Sequence, residues 1–141
     1  MIRLLIADDE ALERETLADI VARRFEHEVT IETAENGRKA ADTAVLWGAD
    51  LILMDIEMPG TNGMDAAEQI RKKDAQVVIM FITNMAHYAI KGYEVGALDF
   101  VLKPIQYLNF ANKMDRAMQL VENRGSRPVM IQTGTGVKKI D

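Results

Sequence analysis

The sequence predicts an α/β domain built on a doubly wound, five-stranded parallel sheet, and three observations carry that prediction. Residues 2–7, 51–54, 77–82 and 100–102 are almost continuous in Leu, Ile, Val, Met and Phe, as strands covered on both faces must be. Stretches with helical spacing of apolar residues separate these runs. Strict alternation of the two patterns fits a parallel sheet with right-handed crossovers and helices on both faces.

The elements follow in order. Residues 2–7 (IRLLIA) form the first strand. Leu12, Leu17, Ile20, Val21 and Phe25 then mark the first helix. Residues 29–33 alternate Val29, Ile31 and Thr33 with Thr30 and Glu32, leaving one face polar, which suits an edge strand. Ala40, Ala41, Ala44, Val45 and Trp47 mark the second helix, with Trp47 covering it against the sheet and Gly48 just past its end. Residues 51–54 are the third strand; Ala66, Ala67 and Ile70 mark the third helix, whose last turn holds Arg71, Lys72 and Lys73 as solvated cations suited to the helix dipole. Residues 77–82 are the fourth strand, and Ala89, Ile90, Tyr93 and Val95 mark a short fourth helix. Residues 100–102 close the sheet, and Leu108, Ala111, Met114, Met118 and Val121 space out a long fifth helix that Gly125 can end.

After it, Ser126, Arg127 and Pro128 read as a linker, followed by a hairpin with Gly134-Thr135-Gly136 at its turn. An isolated ribbon is not stable in water, so it either docks on the main domain or opens a second one, and we favour the second. The expected division is residues 1–124 as one domain and 125–141 as a linker with the first strands of another.

Composition narrows the chemistry. At 141 residues the chain has room for about one domain with an adequate core. It contains no cysteine, which excludes disulfides and thiolate metal sites, and only His27 and His87 as imidazoles. Any bound metal is therefore expected to be a hard cation held by oxygen. The apolar runs fall far short of the ~18 residues of a membrane span, and none resembles a signal peptide. We expect a soluble, cytoplasmic protein. Net charge is −5, with eleven basic and nineteen acidic groups in residues 1–104 but six and three in 105–141. An acidic body with a basic tail does not suit a free-standing nucleic-acid binder.

The polar residues converge on one edge. Asp8 and Asp9 follow the first strand, Asp55 the third, Thr83 the fourth and Lys103 the fifth. This is the carboxyl edge, where open α/β sheets bind their ligands. Taken singly, each fits a plainer role: Asp9 as a helix cap, Asp55 in a turn before Pro59-Gly60, Thr83 as a cap, Lys103 as a surface charge. Together, three carboxylates facing one lysine leave a charge deficit that a divalent cation such as Mg²⁺ would fill. Asp55 is then the best-placed nucleophile toward a phosphoryl group, with Lys103 and the Thr83 hydroxyl meeting the charge on its oxygens.

The pieces LLIADDE, DLILMDIEMPGTNG, FIT and GALDFVLKP, in this order over residues 2 to about 122, closely resemble the receiver domain of bacterial two-component response regulators. The resemblance implies a flavodoxin-like fold with strand order 2-1-3-4-5 and a signalling switch, not an enzyme, although the site supports its own phosphotransfer and autodephosphorylation. It implies that Asp55 accepts a phosphoryl group from a sensor histidine kinase, and that Asp9 and Asp55 hold Mg²⁺ with side-chain oxygens. Glu57 would add its backbone carbonyl, and Asp8 would act through water. Thr83 and Lys103 would clasp the phosphoryl group, Phe100 would be the aromatic switch residue, and Lys103-Pro104 would be cis.

This sequence departs from the family at Asn84, where a small residue is usual, at Glu57, which adds a carboxylate, and at Phe100, which lacks the common tyrosine hydroxyl. Two other classes fit less well. Aspartate-nucleophile phosphatases resemble a pattern with Asp where Glu57 stands, and a flavodoxin-like cofactor module would be repelled by Asp8, Asp9 and Glu10. VMIQTGTGVKKID is similar to the opening of a LytTR-type DNA-binding domain. That likeness implies a transcriptional regulator whose DNA contacts lie in a missing output domain, while the receiver resemblance implies self-association on phosphorylation through the fourth-helix to fifth-helix face.

Overall fold

The computed structural model describes residues 1–84 and 86–124; the expected linker and hairpin at 125–141 lie outside the described residues. In chain order the elements are β1 (Ile2–Ala7), α1 (Ala11–Arg24), β2 (Val29–Ala34), α2 (Gly37–Trp47), β3 (Leu51–Met54), α3 (Gly63–Lys73), β4 (Val78–Thr83), a 3-10 turn (Ala86–Tyr88), α4 (Ala89–Glu94), β5 (Asp99–Leu102) and α5 (Tyr107–Arg124). All neighbouring strands are parallel, in the order β2-β1-β3-β4-β5, as expected from the sequence.

Two apolar layers flank the sheet. On one face, Leu17, Val21, Phe110 and Met114 of α1 and α5 close over Leu4, Ile6, Leu53 and Val101. On the other, Ala40, Ala44, Ala67 and Ile70 of α2 and α3 pack on Leu5, Ile52, Ile79 and Phe81, with Trp47 half-buried beside them. Every residue of β3 and β4 is buried, which is why their sequences show no alternation. β2, at the edge, keeps an exposed face.

Local chemistry sets the helix ends. Asn36 and Asn62 accept from the amides of Lys39 (2.8 Å) and Asp65 (2.9 Å), satisfying first-turn donors of α2 and α3. Gly48 ends α2 at φ 78°, the left-handed region open to glycine. No helix among the described residues is long and apolar enough to cross a membrane.

Several expectations need correction. β2 extends to Ala34 because that residue pairs with Ala7, and β4 runs from Val78 to Thr83, so Thr83 belongs to the ladder opposite Leu102. Leu12, Val45, Ile90, Tyr93 and Leu108 are exposed despite their helical spacing. Arg71 is not a solvated cation. It donates from Nε to the Val95 carbonyl (2.7 Å), from Nη1 to Val77 (2.6 Å) and from Nη2 to Gly96 (3.1 Å), tying the end of α3 to the start of β4 and the α4–β5 loop. Burial draws its pKa down.

Candidate functional site

The backbone ladder continues one residue past three strands, and that places the polar groups. The Asp8 amide donates to Ala34 (3.1 Å), the Asp55 amide to Ala7 (2.9 Å) and the Lys103 amide to Thr83 (2.9 Å). Each side chain thus starts from a position set by sheet register.

The loop after Asp55 is held tightly. The Gly63 amide donates to the Ile56 carbonyl at 2.8 Å, and a β-carbon on Gly63 would stand 2.0 Å from the Asp55 carbonyl oxygen. Only glycine lets α3 begin so close to the backbone of Asp55. The Glu57 amide reaches Asp55 Oδ1 at 3.3 Å, and the Glu10 amide reaches Asp8 Oδ1 at 2.9 Å. Lys103-Pro104 is cis, as the resemblance implied.

Carboxylate oxygens of Asp8, Asp9 and Asp55 lie within 4.8 Å of one another. Asp8 and Asp55 are buried, whereas Asp9 is exposed at the rim. The Glu57 carboxylate is exposed and stands outside this trio, but Glu57 and Asp9 line one open depression of about 400 Å³ beside Pro59 and Asn62. Thr83 is fully buried at the end of β4, and Asn84 next to it is exposed. Phe100 is also buried. Its ring centroid is 5.4 Å from that of Phe81, and its edge faces the bare backbone of Gly92 in α4.

The Lys103 ammonium sits among the carboxylates, 3.1 Å from Asp8 Oδ2 and 3.0 Å from Asp55 Oδ2. It makes a third, short bond to Glu13 of α1, a residue that the sequence reading missed. Glu13 lies in the first turn of α1, just past the acidic loop that holds Asp8 and Asp9, but nothing local in the sequence pairs it with Lys103. Arg14 contributes more locally, donating to the Asp8 carbonyl at 2.8 Å.

Burial pushes the Asp8 and Asp55 carboxyls above their ordinary values, against the pull of Lys103. For Lys103, burial acts downward, but the bonds to Glu13, Asp55 and Asp8 outweigh it and hold the ammonium above the usual lysine value. The bond from Lys103 draws Glu13 down. A single ammonium does not balance these carboxylates, and two of them resist ionisation. The donor set is all oxygen, clustered and short of positive charge, so it fits a small hard dication and not a soft metal.

A parallel sheet of this order carrying an acidic trio, a buried threonine and a lysine at its carboxyl edge defines a phosphoryl-handling switch domain. The response regulator receiver domain family model matches residues 4–115, and the chain belongs to that family. Among its relatives, sensory transduction protein LytT of Bacillus subtilis is 33% identical over 150 aligned positions, which take in 100% of this chain and 62% of LytT. The positive alginate biosynthesis regulatory protein of Pseudomonas aeruginosa is 30% identical over 129 positions, covering 92% of this chain and 49% of that protein. The chain thus spans only about half to three fifths of these curated relatives. Response regulator TrrA of Thermotoga maritima, solved in complex with Mg(2+)-BeF, superposes with a TM-score of 0.74 at 32% identity, over 83% of this chain and 99% of TrrA.

Proposed function

We propose that this chain is a phosphorylation-controlled switch in which Asp55 accepts a phosphoryl group from a sensor histidine kinase. The observation that carries the reading is the Asp55 carboxylate: buried at the end of β3, 3.0 Å from the Lys103 ammonium and clustered with Asp8 and Asp9. An Asp55 oxygen bonds to phosphorus as the bond from phosphorus to the donor nitrogen breaks. The donor ring, protonated on its other nitrogen, leaves as neutral imidazole. Lys103 neutralises charge gathering on the phosphoryl oxygens, and Thr83 offers them its hydroxyl.

Asp9 and Asp55 would hold Mg²⁺ directly, with the Glu57 carbonyl and, through water, Asp8. The ion supplies charge neutralisation between acceptor and phosphoryl group. TrrA in its Mg(2+)-BeF complex supports this choice of cation.

The chain is a switch and not an enzyme in this reading. Phosphorylation shifts an existing conformational equilibrium that Thr83 and Phe100 report to the face formed by α4, β5 and α5. That face carries the exposed Ile90, Tyr93 and Leu102, which suit self-association. The likeness to LytT and to the alginate regulator supports transcriptional output in the cytoplasm through a DNA-binding domain beyond residue 124.

Incubation with Mg²⁺ and acetyl phosphate, followed by intact mass measurement, tests the reading. One phosphoryl group should appear on the wild type and none on Asp55→Asn. If neither gains mass and neither binds beryllofluoride, Asp55 is not an acceptor.

A further inference from the structure

The three carboxylates around Lys103 differ in what holds them. Asp8 and Asp55 are buried at the sheet edge, and both belong to the acidic trio. Glu13 stands on α1 with its side chain 41% exposed; it is ion-paired to the ammonium, with Asp8 and Glu10 also beside it. An ammonium has three N–H donors, and here carboxylates take all three: Asp8, Asp55 and Glu13. A phosphoryl oxygen that needs one of these donors must displace a carboxylate. Asp8 is buried, whereas Glu13 can turn to solvent. Glu13 is therefore the contact that yields.

We propose that Glu13 is a positioning residue that acts through Lys103 as a brake on phosphorylation. It holds, in the resting state, the one Lys103 donor that the incoming phosphoryl group must recruit. Arg14, bonded to the Asp8 carbonyl, fixes the first turn of α1 and keeps Glu13 within reach. This inference rests on Asp55 being the acceptor.

The test is the rate at which acetyl phosphate and Mg²⁺ add a phosphoryl group to the 141-residue chain, followed by intact mass. Glu13→Gln keeps the size of the side chain and removes its charge; it should be phosphorylated roughly two- to fivefold faster, the scale of a partly exposed ion pair. Glu13→Asp keeps the charge but is too short to reach Lys103, and it should accelerate to a similar degree. In a Lys103→Met background, Glu13→Gln should make no difference. A wild-type rate in Glu13→Gln overturns the proposal, as does acceleration that persists without Lys103. A wild-type rate in Glu13→Asp also overturns it, because it assigns the effect to the charge of α1 and not to the contact. If the wild type itself gains no mass, the reading of Asp55 fails first and the brake with it.

Discussion

Gly92 and Phe100 are shaped to each other: a β-carbon on Gly92 would fall 2.3 Å from Cε2 of the Phe100 ring. The ring also packs against Phe81 in this state. Alanine normally favours a helix over glycine by about 1 kcal/mol. Here Gly92→Ala should instead destabilise the fold by about 1 to 3 kcal/mol, the cost of overpacking. In a Phe100→Ala background the same change should be neutral or stabilising. Urea denaturation of the four chains checks this; equal effects in both backgrounds would sever the two residues.

Removing the acceptor charge should strengthen the metal-free fold. Burial raises the Asp55 carboxyl above its ordinary value, so the native chain holds that proton more readily than the unfolded one. Stability then falls as pH rises from below the ordinary carboxylate value through the raised native value, and ionised Asp55 is a net cost above it. Asp55→Asn should lack this component and gain on the order of 1 kcal/mol at neutral pH. Mg²⁺ should raise the melting temperature of the wild type by mass action, and that of the variant less. An equal rise in both would move the cation elsewhere.

Arg71→Ala should cost about 2 kcal/mol, because it strips donors from the carbonyls of Val77, Val95 and Gly96 at once. The loss should be local as well as global. Hydrogen exchange at Ala97 and Leu98, whose amides bond Gly92 and Ile79, should quicken more than exchange in β1. Uniform quickening would show that Arg71 does not clasp this loop in particular.

Saturation with beryllofluoride and Mg²⁺ should convert the chain from monomer to dimer in light scattering. Ile90→Glu, which charges the exposed face of α4, should prevent it. An unchanged mass on saturation would remove self-association from the switch.

Much of this molecule was legible in the sequence because the decisive signals are local. A buried strand such as β3 announces itself by four apolar residues in a row, and Asp55 by interrupting them. Gly48 likewise marks the end of α2 from its own place in the sequence. What escaped depends on distant partners. Arg71 reads as a surface cation until the carbonyls 24 and 25 residues away are placed beside it. Glu13 reads as helix surface until Lys103, 90 residues on, arrives at its side. Leu108 and Tyr93 satisfy a helical pattern, yet nothing described in the fold covers them.

The ladder bonds that anchor Asp8, Asp55 and Lys103 have a further consequence. Acceptor and ammonium are separated by 48 residues of chain, and the ammonium and Asp8 by 95. No short segment can assemble them, and any chain in which β5 is not yet paired has the acid without its base. The charge cluster is therefore complete only in a chain whose sheet has closed through β5. Competence to receive a signal becomes, in this architecture, a certificate that folding is complete.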